Sequence, residues 1–170
     1  MKSKKNIVFL GMMGSGKTSV GDLISKKLNL DFFDIDQIIE KEVGMKIYKL
    51  FEIKGEKFFR EIEEKKTLET LKKNKVVISL GGGAFLNKKI RTEILKNHIS
   101  FWLDWDSKIL IDRINNSSKR PLAVKATKNE LSDVIKKRSN IYSKAMYKVN
   151  CNGLTKIELV TKILDTYEIN

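Results

Sequence analysis

The segment Gly11–Thr18 reads Gly-Met-Met-Gly-Ser-Gly-Lys-Thr and matches the pattern G-x-x-x-x-G-K-[ST] in full. A run of β-branched and large apolar residues, Asn6–Leu10, precedes it, and apolar residues at helical spacing follow it. Glycines let such a loop curl with its N–H groups pointing inward, so that they surround phosphate oxygens at a helix N-terminus. We therefore expect a nucleoside triphosphate to bind here. The residues expected to bind this nucleotide are Gly14, Ser15, Gly16, Lys17, Thr18 and Ser19.

The fold follows from the alternation of apolar strands with helical patterns. The predicted strands are Asn6–Leu10, Asp31–Asp34, Val76–Leu80, Ile99–Leu103 and Tyr147–Cys151. The predicted helices are one after Gly16, then Gln37–Val43, Ile47–Lys54, Glu56–Lys72 beyond a break at Gly55, Lys88–Lys96, Ser107–Ile114, one capped by Thr127 and reaching Ala145, and one capped by Thr155. Such alternation indicates an α/β fold, a three-layer sandwich around a five-stranded parallel sheet. With 170 residues, the chain is expected to form a single domain.

Composition narrows the class of partner. The chain has 34 Lys+Arg against 21 Asp+Glu, a formal net charge of +13, and only five of the basic residues are Arg. A basic balance is compatible with nucleic acid, an anionic membrane or acidic small substrates. The lysines are scattered and are not interleaved with aromatic residues as in a strand-binding groove. We therefore interpret them as a solvated surface and expect neither a nucleic-acid nor a membrane partner. An ATP-dependent module acting on nucleic acid, or a regulator, is the alternative.

The same composition indicates where the protein is located. The single cysteine, Cys151, cannot form an internal disulfide, and no apolar run near the start is long enough to span a bilayer. The apolar stretch Ile7–Leu10 runs directly into the glycine-rich loop, which is atypical of a signal peptide. We expect a cytoplasmic protein, and a monomer.

Asp34 and Asp36 are the candidate acidic residues for a metal and a substrate. The strand Val76–Leu80 ends without a carboxylate, and no Asn-Lys-x-Asp segment of a GTPase is present. Asp34 and Asp36 come at the end of the second predicted strand, and their i, i+2 spacing on a strand places both carboxylates on one face. One could then lie over Mg²⁺ while the other meets a substrate hydroxyl. The alternative is a pair of turn and N-cap residues before the following helix.

Three arginines are candidates for binding an anionic substrate. Arg60 follows two phenylalanines, Arg120 precedes the only proline, and Arg138 lies in the helix capped by Thr127. Each alone is typical of a surface residue or a helix-face ion pair. Together with the phosphate loop, two or three of them could face a carboxylate and the transferring phosphoryl group.

In combination these motifs make the chain similar to the shikimate kinase family, within the P-loop proteins of the nucleoside-monophosphate-kinase type. The resemblance extends over nearly the whole chain. It rests on Gly11–Thr18, Asp34-Ile35-Asp36, Phe51–Gly55 with Phe59-Arg60, Gly81-Gly82-Gly83, Arg120-Pro121-Leu122, and Arg138 with Tyr142. It implies transfer of the ATP γ-phosphate to the 3-hydroxyl of shikimate, in the pathway to chorismate and the aromatic amino acids. Another small-metabolite kinase, for gluconate or a nucleoside monophosphate, is the alternative.

The resemblance also implies roles on the substrate side, with substrate-binding helices over about residues 37–72. Asp36 would accept hydrogen bonds from shikimate hydroxyls and would be the proton acceptor. Arg60 and Arg138 would hold the carboxylate, and Glu63 would orient Arg60. The backbone of the glycine triplet, Gly81, Gly82 and Gly83, would contact the ring.

On the nucleotide side, the resemblance implies that Asp34 supplements Thr18 at Mg²⁺ by holding a water on the metal. Arg113 would lie against the adenine. Arg120 would come from a lid over about residues 115–126 and would stabilise the transferring group. Lys17, Asp36 and Arg120 are thus the expected catalytic residues, with Mg²⁺ as cofactor and ATP as co-substrate.

Overall fold

The computed structural model describes residues 5–116 and 126–168. Its sheet has five strands, all parallel: β1 (Ile7–Leu10), β2 (Asp31–Asp34), β3 (Val76–Ser79), β4 (Ile99–Asp104) and β5 (Tyr147–Asn150). Their spatial order is β2-β3-β1-β4-β5. The prediction of a five-stranded parallel sheet is confirmed, with strand ends shifted by a residue or less.

Helices connect the strands. They are α1 (Lys17–Leu28), α2 (Ile35–Val43), α3 (Ile47–Leu71), α4 (Lys88–Asn97), α5 (Ser107–Asn115), α6 (Lys128–Tyr142) and α7 (Lys156–Glu168). Gly55 interrupts α3 with φ 80°, which confirms the predicted break. Thr127 and Glu130 form the predicted capping box at the start of α6, although that helix ends at Tyr142 rather than at Ala145. A short 3₁₀ helix, Ala84–Leu86, was not predicted.

The sheet is buried on both faces because β1, its central strand, alternates its side chains between two apolar clusters. Val8 and Leu10 belong to the cluster that includes residues of α2 to α6, and Ile7 and Phe9 belong to the one formed with α1 and α7. All four are at most 1% exposed. A strand covered on both faces reads as a continuous apolar run, and this confirms the three-layer sandwich.

Parallel strands bring all their carboxyl ends to one edge of the sheet, where ligands bind in open α/β folds. The phosphate loop follows β1, Asp36 follows β2, and the glycine triplet Gly81–Gly83 follows β3. Trp105 follows β4 at the same edge. The candidate site is therefore assembled from segments far apart in the chain. Among the helices of residues 5–116 and 126–168, none is long and apolar enough to cross a membrane.

Candidate active site

The phosphate loop depends on glycine at two positions. Gly14 has φ 81° and Gly16 has φ 89°, in the left-handed region that side chains other than glycine rarely adopt. Helix α1 begins directly after Gly16, so Lys17 and Thr18 form its first turn. The Lys17 ammonium donates to the carbonyls of Gly11, at 2.9 Å, and Met12, at 2.8 Å. The charge of Lys17 is thus held directly over the loop.

Asp34 joins β2 to α1 and also begins α2. Its Oδ2 accepts a 2.5 Å hydrogen bond from Thr18 Oγ1, and its Oδ1 accepts a 3.1 Å bond from the Gln37 amide. Asp34 is therefore the N-cap of α2, as the alternative interpretation proposed, and is also paired with the phosphate-loop threonine. Two hard oxygen donors consequently lie together at the start of α1.

The predicted placement of Asp34 and Asp36 on one strand face is wrong. Strand β2 ends at Asp34, because the Asp34 side chain caps the helix that starts at Ile35. Asp36 consequently lies in the first turn of α2. The two carboxylates are separated by a change from extended to helical backbone.

Asp36 and Glu63 approach the same backbone position from α2 and α3. A Cβ added to Gly81 would lie 2.5 Å from Glu63 Oε1 and 2.7 Å from Asp36 Oδ1. Glycine is required there because two carboxylate oxygens occupy the space of a side chain. Burial raises the pKa of Glu63, and the positive charge of Arg60 opposes this rise.

Arg60 projects from α3 onto the glycine triplet. Its Nη1 lies 2.6 Å from Glu63 Oε2, and its Nη2 lies 3.1 Å from Glu56 Oε1. A Cβ added to Gly83 would lie 2.5 Å from Arg60 Nη1. About a third of the Arg60 side chain (34%) remains exposed, so the guanidinium is both held and accessible.

Arg138 and Tyr142, one turn apart on α6, meet the triplet from the other side. Arg138 Nη1 donates to the Gly82 carbonyl at 3.4 Å, and the Tyr142 hydroxyl donates to the same carbonyl. Both side chains also contact the sulfur of Met12 in the phosphate loop. Burial raises the pKa of Tyr142, so its hydroxyl stays protonated as a donor. Helix α6 thus ties the triplet to the phosphate loop.

Arg113, on α5, lies at the rim of the phosphate loop. Its Nη1 donates to the Gly14 carbonyl at 3.3 Å, and its guanidinium stacks 3.8 Å from the centre of the Trp105 ring. Trp105 in turn donates from Nε1 to the Ser15 carbonyl at 2.9 Å. Sequence reasoning missed Trp105, because nothing in the local pattern marks an indole that donates to a loop.

The structure brings the predicted residues together as two groups. The first group is the phosphate loop and its rim. It contains Arg113 at the rim, Ser19, which is exposed in the first turn of α1, and the loop residues Gly14, Ser15, Gly16, Lys17 and Thr18. The second group lies around the glycine triplet Gly81, Gly82 and Gly83. It contains Asp36, Arg60, Glu63 and Arg138. Arg91, which has no predicted role, donates to the Phe85 and Leu86 carbonyls. Arg120 and most of the predicted lid lie outside the described residues.

Known proteins resemble this chain over almost its full length. The family model described as shikimate kinase matches residues 13–168. A shikimate kinase from Thermodesulfovibrio yellowstonii is 38% identical over 165 residues, which cover 96% of this chain and 95% of that protein. The structure of the Acinetobacter baumannii shikimate kinase in complex with shikimate is 30% identical with a TM-score of 0.91, and the match covers 98% of this chain and 94% of that one.

A gluconokinase from Sinorhizobium meliloti also has a similar structure, with a TM-score of 0.56, 15% identity and coverage of 99% of this chain and 94% of that one. That likeness shows the shared P-loop kinase fold alone. The two relatives named above at 30% and 38% identity are shikimate kinases, and the family model spans the phosphate loop from Met13, the glycine triplet and α6. The chain therefore belongs to the shikimate kinase family.

Proposed function

We propose that this chain transfers the γ-phosphate of ATP to the 3-hydroxyl of shikimate, giving shikimate 3-phosphate and ADP. The observation that carries the proposal is the convergence of Asp36, Arg60 and Arg138 on the glycine triplet beside the phosphate loop. This arrangement suits a small polyhydroxylated carboxylate, because arginines bind its acid group and a carboxylate accepts from its hydroxyls. Membership of the family supports the same reaction.

The substrate carboxylate is bound by Arg60 and Arg138. Arg60 is fixed by Glu63 and Glu56, so its fork is oriented before substrate arrives and less conformational entropy is lost on binding. The glycine triplet lets the backbone approach the ring without a Cβ in the way. The Gly82 backbone is assigned to the ring hydroxyls.

Asp36 accepts the proton of the 3-hydroxyl as its oxygen attacks the γ-phosphorus. The new bond joins that oxygen to phosphorus, and the bond from the γ-phosphorus to the bridging oxygen breaks, so ADP leaves. Phosphoryl transfer depends mainly on alignment and charge neutralisation. Lys17 exchanges the carbonyls of Gly11 and Met12 for phosphate oxygens, and Arg120 is proposed to stabilise the transferring group from the 115–126 segment.

The nucleotide is bound by the phosphate loop and by Arg113, which we assign to the adenine. Thr18 and Asp34 fit Mg²⁺, because the Thr18 hydroxyl is a hard oxygen donor and the Asp34 carboxylate, which accepts its hydrogen bond, is placed to hold a metal-bound water. Mg²⁺ commonly takes one or two protein ligands together with waters and phosphate oxygens. A site with so few protein ligands is compatible with this structure, in which the described residues form no cluster of three His, Cys, Asp or Glu side chains. When bound, the metal neutralises charge on the phosphates.

An acceptor assay tests the proposal. ADP release by the purified protein is measured with shikimate, gluconate, AMP and CMP as acceptors in the presence of MgATP. We expect ADP release when shikimate is the acceptor and none with gluconate, AMP or CMP. Absence of ADP release with shikimate would overturn the proposal, and release with gluconate or a nucleoside monophosphate would favour the alternative kinase. Cytoplasmic location and a monomeric state stay predictions, which cell fractionation and light scattering address.

A further inference from the structure

We propose that Trp105 is a positioning residue of the nucleotide site, which acts by orienting the phosphate-loop amide of Gly16. The inference rests on the proposed use of ATP. It concerns a side chain that takes part in no step of the reaction above.

The first support is the hydrogen bond from Trp105 Nε1 to the Ser15 carbonyl, at 2.9 Å. The carbonyl of Ser15 and the N–H of Gly16 belong to one planar trans peptide and point in opposite directions. By holding the carbonyl on the outer side of the loop, the indole turns the Gly16 N–H inward. Inward N–H groups are what a phosphate-binding loop requires.

The second support is the stack between Trp105 and Arg113. The guanidinium lies 3.8 Å from the ring centre, within the range of a cation–π contact. Arg113 also donates to the Gly14 carbonyl at 3.3 Å. Two neighbouring carbonyls of the loop are therefore held from outside, one by Trp105 directly and one by the arginine that Trp105 supports.

The third support is that the segment bearing Trp105 is itself fixed. The Asp106 amide donates to Asn152 Oδ1 at 2.9 Å, and Asn152 Nδ2 donates to Asp106 Oδ1 at 3.2 Å. Asn152 follows β5 and Trp105 follows β4, so the two loops are joined at the edge of the sheet where the phosphate loop lies. A side chain on a fixed segment can orient the loop it contacts, whereas one on a free segment would follow it.

The test compares Trp105→Phe, which keeps a ring for Arg113 but removes the N–H donor, with Trp105→Leu, which removes both. Loss of one hydrogen bond predicts a rise of about 3- to 10-fold in the KM for ATP in Trp105→Phe. A further rise is expected in Trp105→Leu. The KM for shikimate should stay unchanged in both. Trp102→Phe is the matched control, because Trp102 is the chain's other tryptophan and donates to no phosphate-loop carbonyl among the contacts described.

Tripolyphosphate, which carries no base, identifies the group on which Trp105 acts. Its binding, measured by calorimetry without shikimate, should weaken in Trp105→Phe by the same factor as ATP binding. If ATP binding weakens and tripolyphosphate binding does not, Trp105 acts on the base and the inference is wrong. Equal rises in the KM for ATP and for shikimate would also overturn it. Because this binding needs no acceptor, it remains informative even if shikimate is not phosphorylated.

Fluorescence provides a spectroscopic readout. In Trp102→Phe the chain has a single tryptophan, Trp105, whose indole contacts the phosphate loop. Addition of ADP or tripolyphosphate should change its emission, and addition of shikimate alone should not. Emission that is insensitive to both phosphate ligands, at concentrations where calorimetry detects binding, would contradict the inference.

Discussion

Arg60 and Glu63 form a 2.6 Å ion pair whose carboxylate is 3% exposed and whose guanidinium is 34% exposed. The Glu63 carboxylate of the pair is therefore buried, whereas the Arg60 guanidinium is partly accessible to a ligand. Burying the carboxylate of an ion pair costs desolvation free energy, so a purely structural role explains poorly why the glutamate is buried. An oriented arginine that faces an anionic ligand explains both ends of the pair.

Arg60→Lys should weaken shikimate binding while ATP binding stays nearly intact. Lysine keeps the charge but cannot form the planar two-donor contact with a carboxylate. We expect a rise of roughly tenfold or more in the KM for shikimate, since hydrogen bonds to charged groups contribute about 1.5–3 kcal/mol. Steady-state kinetics with each substrate varied measures this. Arg91→Lys, which alters an arginine bound to the Phe85 and Leu86 carbonyls, should leave both KM values unchanged. Equal loss of affinity for both substrates in Arg60→Lys would count against the assigned role.

Asp36→Asn should abolish most turnover and leave the fold intact. An amide cannot accept the hydroxyl proton, and general-base catalysis contributes about 10²- to 10⁴-fold in rate. We expect kcat to fall within this range while ADP binding and the circular dichroism spectrum stay unchanged. Asp22→Asn, which removes a partly exposed carboxylate from α1, is the control and should keep full activity. Substantial turnover by Asp36→Asn would remove Asp36 as the proton acceptor.

The strands and the phosphate loop were predictable because each depends on local pattern. Apolar residues bounded by glycine mark β1 and β3. The Gly-Lys-Thr end of the loop is typical of a phosphate loop between a strand and a helix. The position of Asp36 was not predictable from spacing, since the switch from strand to helix at Asp34 is decided by one side-chain cap.

Contacts between distant segments were also beyond sequence reasoning. Trp105 reaches the Ser15 carbonyl across 90 positions of the chain, and Arg138 reaches Gly82 across 56. Nothing in the local pattern around Trp105 distinguishes an indole that packs in the core from one that donates to a loop. For Arg138, the sequence indicated only a candidate cation on a helix, and the family resemblance assigned it to the substrate carboxylate.

Glu63→Gln should change how stability depends on pH. Burial raises the pKa of the Glu63 carboxyl, with Glu56 adding to the rise and Arg60 and Arg138 opposing it; the Asp36 carboxylate also faces Glu63 across Gly81. An acid whose folded-state pKa is raised binds its proton more firmly in the folded chain. Its contribution to stability is therefore complete below the unfolded-state pKa, near 4.5, and is lost as pH rises through the folded-state value.

Denaturant unfolding of the wild type and Glu63→Gln, at pH values from about 4 to 8, measures this difference. The free energy of unfolding of the wild type should fall relative to that of the variant as pH rises. Glu61→Gln alters an exposed carboxylate on the same helix, and its free energy of unfolding should change with pH in parallel with that of the wild type. A wild-type advantage over Glu63→Gln that grew with pH would show that the ion pair with Arg60 outweighs burial.

Gly81→Ala should damage the substrate side of the site without affecting the nucleotide side. The added Cβ would lie within 2.7 Å of oxygens on both Glu63 and Asp36, so at least one carboxylate must move. Moving them displaces the proposed proton acceptor and the partner of Arg60 together. A displacement of this kind near the chemistry can lower rate by about 10²-fold. We expect a fall of that order in kcat/KM for shikimate, and an unchanged Kd for ADP.

Gly21→Ala separates this effect from simple overpacking. A Cβ there would lie 2.6 Å from Phe32 Cε2, a similar clash at a position where α1 packs against β2. Overpacking costs about 1–3 kcal/mol, so thermal denaturation should show both variants destabilised. Only Gly81→Ala should lose shikimate turnover, because only its clash involves the carboxylates of the site. If the two variants lost stability and activity in the same proportion, the space at Gly81 would serve packing alone, and the placement of Asp36 and Glu63 around the substrate would have to be abandoned.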